Sequence, residues 1–163
     1  MNGTASPTDA LSEYQSYYSN LKVVFHDTLQ NNYDLVNTAI LERIDADLNC
    51  TGEIDPEVRQ RWYPTGLALF YEPVYEPAHE WISSMGRSKY LSPVYASLED
   101  SGQHDIACEW LAENSDFYHP VSYTTLTGIV GSCDSTKAHP KSKFEQIEEN
   151  VENALSKYLN LLQ

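Results

Sequence analysis

"WISSMGRSKYLSPVYASL", residues 81–98, decides how this chain is read. Two apolar runs flank a glycine, and two cations, Arg87 and Lys89, stand two positions apart beside it. The first run closes an amphipathic helix from Pro77 to Met85, which Gly86 is placed to terminate. Ser92 and Pro93 open the next helix, through Leu98. Cations are scarce here: the chain holds 10 Lys plus Arg against 24 Asp plus Glu. The pair therefore asks for a reason. The plain one is that positive charge after a helix C-terminus complements the helix dipole. The functional one is an anion cradle, since Arg presents a planar fork to a carboxylate and Lys adds a point charge.

On either side of this stretch, almost every segment carries a helical signature. Ser6 and Pro7 open a helix with Leu11, Tyr14, Tyr17, Tyr18 and Leu21 at three-four spacing. A short apolar helix follows and ends at two asparagines. Asp34 can cap a third helix, with Leu35, Ile40, Leu41, Ile44 and Leu48 on one stripe. Asp55-Pro56-Glu57 is a strong opening for a fourth, which Pro64 and Gly66 should kink or break. A helix around Ile106, Trp110 and Leu111 comes next, and then an apolar one closing at Gly128 or Gly131. No hairpin dipeptide sits between alternating apolar residues, so no substantial sheet is expected.

The fold class predicted is all-α, a bundle or a short right-handed α-α superhelix of the armadillo or HEAT kind. The domain boundaries are 1–132 for the helical body, 133–142 for a polar linker and 143–163 for an extra amphipathic C-terminal helix.

Composition excludes several functions. A net charge of -14 argues against nucleic acid and against anionic membrane surfaces, both of which need clustered cations. No apolar run reaches membrane-spanning length. Three cysteines, Cys50, Cys108 and Cys133, are an odd count at wide spacing, which reads as free thiols in a reducing, cytoplasmic setting. "HEWIS", from His79, begins like a zinc-protease helix, but Ser83 stands where the second histidine belongs. His104 and Cys108 share a helix face, yet two ligands do not make a metal site, and no third is convincingly placed. No nucleophile elbow, phosphate loop or complete catalytic set is present. The chain alone is thus expected to be non-catalytic, with no metal and no cofactor of its own.

"VRQRW" (58–62), "GRSKYLSPVYASL" (86–98) and "YHPVS" (118–122) occur in the order and spacing of one family. They resemble the C-terminal domain of leukotriene-A(4) hydrolase and its relatives such as aminopeptidase B, over roughly 21–131. The resemblance implies a two-layered helical superhelix walling the active-site cleft of a zinc aminopeptidase. The zinc cofactor belongs to the parent enzyme's catalytic domain, which is this domain's expected partner. It further implies that Arg87 and Lys89 hold the substrate carboxylate, from a peptide C-terminus or a fatty acid. Such an anchor sets the register of the scissile bond against the metal. The final helix has no counterpart in that family. It leaves a second reading open, a free-standing helical scaffold that binds another protein.

Overall fold

A computed structural model of the protein describes residues 7–133. The expected linker and C-terminal helix lie outside the described residues, except for Cys133. Among the described residues eight helices follow one another: α1 (Pro7–Ser16), α2 (Ser19–Gln30), α3 (Thr38–Leu48), α4 (Pro56–Ala68), α5 (Tyr75–Ser83), α6 (Ser88–Asp100), α7 (His104–Glu113) and α8 (Pro120–Val130). Short 3-10 turns at Tyr33–Leu35 and Glu72–Val74 join α2 to α3 and α4 to α5. No strand occurs among the described residues, so the all-α expectation holds. Alternate helices share a row: α2 packs on α4, α4 on α6 and α6 on α8. The odd-numbered helices lie alongside, with α1 on α3, α5 against α4 and α6, and α7 against α6 and α8.

Helix α4 runs through the centre. Asp55 caps it as expected, accepting from the Glu57 backbone N–H at 2.9 Å. Pro64 and Gly66 do not break it. Every residue from Trp62 to Leu67 is buried, and the carbonyls near the proline are taken up by side chains. The Arg61 carbonyl accepts from Thr65 Oγ1 at 2.7 Å and from Gln30 Nε2 of α2 at 3.1 Å. The Pro64 carbonyl accepts from Ser97 Oγ of α6 at 2.6 Å. Gly66 is needed for closeness: a Cβ there would come 2.5 Å from Val74 Cγ2. The helix is stopped just past its C-cap Leu69 by Phe70, whose φ of 55° is unusual for so bulky a residue. Its N–H bonds the Leu67 carbonyl and the Tyr71 N–H bonds Gly66, the two bonds of a glycine-type helix stop built on a phenylalanine.

Other boundaries move. The first apolar segment splits at Tyr17–Tyr18, leaving Tyr14 buried but Tyr18 81% exposed. Asn37, not Asp34, caps α3, by accepting from the Ile40 N–H. Gly131, with φ of 79°, closes α8, and Gly128 stays helical. Helix α6 starts at Ser88 and keeps Pro93 inside it, so the expected opening at Ser92 is wrong.

The core joins Trp62, Tyr63, Leu67, Ile82, Leu91, Tyr95, Leu98 and Leu126, with His26 buried beside it. The Tyr14 hydroxyl and His26 Nε2 share a hydrogen bond at 2.8 Å, and the imidazole sits edge-on to Trp62. Burial lowers the His26 pKa to about 4, against the pull of Glu53 and Asp27, while Arg61 and Lys22 push it further down. The unfolded imidazole titrates near 6.5, so the depressed folded value adds stability that is complete above that pH. It is lost as pH falls from about 6.5 towards 4. The unfolding free energy should drop by about 3 kcal/mol across that window, and His26→Phe should flatten the slope in urea titrations at stepped pH. Gly66→Ala should cost about 1–3 kcal/mol by forcing α4 away from Val74, read as a lower urea midpoint.

Candidate functional site: two cations around Tyr90

The turn between α5 and α6 carries the candidate site. Helix α5 ends at Ser83, short of Gly86, and Arg87 occupies the N-cap position of α6 with extended backbone. The plain dipole reading of the pair therefore fails. Both cations stand at a helix N-terminus, the positive end, where they add to the dipole field instead of opposing it. The turn is pinned from behind by α8. Ser122 Oγ donates to the Gly86 carbonyl at 2.8 Å, and Ser88 Oγ donates to Ser122 Oγ at 3.0 Å.

Arg87 and Lys89 are both exposed, and both draw up to one aromatic ring. The Arg87 guanidinium carbon lies 5.9 Å from the Tyr90 ring centroid and the Lys89 ammonium 5.2 Å from it. Those distances are within cation–π range. Tyr90 is backed by Trp81 at 5.9 Å between centroids, and Trp81 by Tyr63 at 5.6 Å. The cations thus rest on a run of tilted and edge-on rings rooted in the core.

Glu57, in the first turn of α4, completes the group. Lys89 Nζ donates to its Oε1, and the Tyr90 hydroxyl donates to the same oxygen at 3.0 Å. Gln60 Nε2 holds the other oxygen at 2.6 Å. The Lys89 hydrogen bond, chiefly, holds the Glu57 carboxyl below its usual range, although burial pulls the other way. Among the described residues no carboxylate lies in ion-pair range of Arg87. The arrangement can accept one anionic group at the guanidinium, with Lys89 held close by. Sequence reading found both cations but missed Glu57 and Tyr90. Glu57 stands 32 positions before Lys89, a separation that carries no local signal.

A cleft of about 300 Å³ lies nearby, lined in part by Arg59, Tyr63, Glu80 and Trp81. It shares Tyr63 and Trp81 with that run of rings, but neither Arg87 nor Lys89 lines it. His79 is no metal ligand here: its ring stacks on Trp110 at 4.9 Å and its Nε2 meets Glu113 at 2.8 Å. The free-thiol expectation is corrected for two cysteines. Cys108 and Cys133 are joined in a disulfide, and only Cys50 is free, buried in the core. Twenty-five positions separate the bonded pair, and only the packing of α7 on α8 brings them together.

The family described as "Leukotriene A4 hydrolase, C-terminal" matches residues 17–130. Leucine aminopeptidase 2 of Yarrowia lipolytica is 34% identical over 67 residues, 41% of this chain and 10% of that protein. Leucine aminopeptidase 2 of Phaeosphaeria nodorum is 27% identical over 110 residues, 68% of this chain and 18% of that protein. The leukotriene A-4 hydrolase homolog of Botryotinia fuckeliana is 27% identical over 114 residues, 70% of this chain and 18% of that protein. The chain thus spans less than a fifth of the length of these relatives. No solved structure matches it.

The pinning of Gly86 has a measurable consequence. Ser122→Ala should leave the Gly86 carbonyl and the Ser88 hydroxyl without their partner and lower the unfolding free energy by about 1–2 kcal/mol, read by urea denaturation.

Proposed function

The chain belongs to the leukotriene A4 hydrolase C-terminal family, and from that premise we propose that it is the non-catalytic helical domain of a zinc aminopeptidase. In this reading it walls one side of the active-site cleft as part of a two-layered superhelix. Arg87 and Lys89 grip the substrate's carboxylate, at the C-terminus of a peptide or on a fatty acid. The observation that carries the reading is the convergence of both cations on Tyr90 at the N-terminus of α6. An acidic chain repels anions almost everywhere, and this is a place where two cations and a helix N-terminus act together.

The two cations are not equivalent. Lys89 is already shared with Glu57, so its charge is partly spent within the domain. Arg87 is the principal contact, and Lys89, held by Glu57 and Tyr90, limits where the carboxylate can settle. Fixing one end of the substrate would place the other end against chemistry supplied by the catalytic domain. The zinc would belong to that domain. Nothing in "HEWIS" of this chain fits the ion, since His79 is engaged by Trp110 and Glu113 and position 83 is serine. The exposed apolar side chains Tyr18, Leu21, Val24 and Leu35 are surface that a covering domain would bury. We keep the cytoplasm as the proposed compartment, where the Cys108–Cys133 bond would be held open as thiols.

The test is kinetic and uses the parent polypeptide, in which this domain is joined to its zinc domain. Arg87→Ala should lower kcat/KM for peptides with a free C-terminus by roughly ten- to a hundredfold, the loss of one charge-assisted hydrogen bond. The same peptides carrying a C-terminal amide should be affected much less. Lys89→Ala should cost less than Arg87→Ala on the free acids. Equal losses on acid and amide would show that Arg87 holds no carboxylate.

A further inference from the structure

We propose that His104, Cys108 and Cys133 form a redox-gated site for a thiophilic divalent cation such as zinc, with Glu99 as the residue that orients His104. Cys108 follows His104 by one helical turn on α7, and its Sγ lies 3.2 Å from the imidazole Nε2. Cys133 reaches the same spot from beyond the end of α8, with its Cα 5.6 Å from that of Cys108. The three donor atoms all lie within 4.8 Å of one another. They are two sulfurs and an imidazole nitrogen, a donor set that suits zinc and similar ions.

The imidazole is held in the orientation a metal needs. Its Nδ1 donates to both Glu99 carboxylate oxygens, at 2.9 and 3.0 Å. A carboxylate only accepts, so Nδ1 carries the proton, and Nε2 is the nitrogen turned towards the sulfurs. A carboxylate behind a histidine in this way fixes the ring and raises its basicity as a ligand. His104 is only 9% exposed, so the ring has little room to turn away. The Ser132 carbonyl stands 3.2 Å from Nε2; with the proton on Nδ1 both atoms are acceptors, so this is a close approach that a cation at Nε2 would relieve. Cys133 is exposed, which leaves the fourth position open to water.

In the structure the two sulfurs are bonded to each other, so the site is closed. A dithiol opens it: the disulfide takes up two electrons and two protons, and the dithiol leaves as its own disulfide. A divalent cation then displaces the two thiol protons and binds two thiolates and the imidazole, with no change in its own oxidation state. Bound to zinc, the sulfurs would stand about 3.8 Å apart, from Zn–S bonds of about 2.3 Å at tetrahedral angles. Rotation of the Cys108 and Cys133 side chains accomplishes this with the helices in place. Disulfide and metal are then alternative staples for one junction, where the chain leaves α8 beside α7. This inference does not rest on the carboxylate reading of Arg87 and Lys89.

The test uses the full chain, reduced with dithiothreitol, freed of it anaerobically and titrated with cobalt(II), then with zinc(II). The expected result is one cobalt per chain, with thiolate-to-cobalt charge transfer in the near ultraviolet and the strong visible bands of tetrahedral cobalt. Zinc should bleach both, and two protons should be released per ion. The unreduced chain should show neither band. Cys133→Ser, at an exposed position that leaves the helices intact by circular dichroism, should abolish the two-thiolate spectrum. Glu99→Gln should weaken binding about ten- to a hundredfold. Cys50→Ala should leave the titration unchanged. A reduced chain without charge transfer, or the same spectrum from Cys133→Ser, would overturn the proposal.

Discussion

The fold depends on how α4 is kept helical through a proline. A helix interior proline lacks an N–H and crowds the preceding turn, at a cost of about 3 kcal/mol when nothing compensates. Pro64 withholds the N–H that would meet the Gln60 carbonyl, and neighbouring elements bond other α4 carbonyls around that gap. Gln30 of α2 donates to the Arg61 carbonyl, Ser97 of α6 to the Pro64 carbonyl, and Gln103 of the α6–α7 turn to the Leu67 carbonyl. Each of these bonds satisfies a polar atom of α4 and fixes a neighbour against it. Burial makes each of them obligatory, since an unmet carbonyl in this dry environment would be costly. The row α2–α4–α6 is thus set by backbone accounting as much as by apolar packing. Because α4 cannot shift, Glu57 in its first turn stays within reach of Lys89 on α6.

That accounting explains which parts were legible in the sequence. Helical character was, because three-four spacing and the Asp55-Pro56-Glu57 opening are local signals. The breaks were not. Pro64 looks like a stop and Pro93 like an opening, yet both lie inside helices. Phe70 looks like core, yet it stops α4 with a left-handed backbone that glycine would normally supply. Gly86 looks like a stop, yet α5 has already ended at Ser83. Of the site, the cations were legible because scarcity drew attention to them. Glu57 was hidden by distance along the chain, and Tyr90 by the abundance of tyrosine. An odd cysteine count suggested three free thiols, but parity cannot say which two meet. Only the docking of α7 on α8 decides that.

Helix α6 shows how local electrostatics and tertiary structure trade against each other. Its N-terminal end carries Arg87 and Lys89, and its last turn carries Glu99 and Asp100. Both ends are charged against the helix's own dipole, a penalty of about 0.3–1 kcal/mol at each. A helix selected for its own stability would be charged the other way round. Each end is instead answered by a residue from outside the helix. Glu57 of α4 meets Lys89 at one end, and His104 of α7 meets Glu99 at the other. The charges that α6 tolerates are therefore those that its neighbours use, and at each end one group points beyond the pair. Arg87 has no carboxylate to hold within the described fold, and the His104 nitrogen opposite Glu99 faces two sulfurs. A helix whose middle is locked by Ser97 to α4 can hold two such ends in fixed geometry. Chemistry at the Glu99 end would then be read as a change in how firmly the chain is stapled, while the Arg87 end keeps its place.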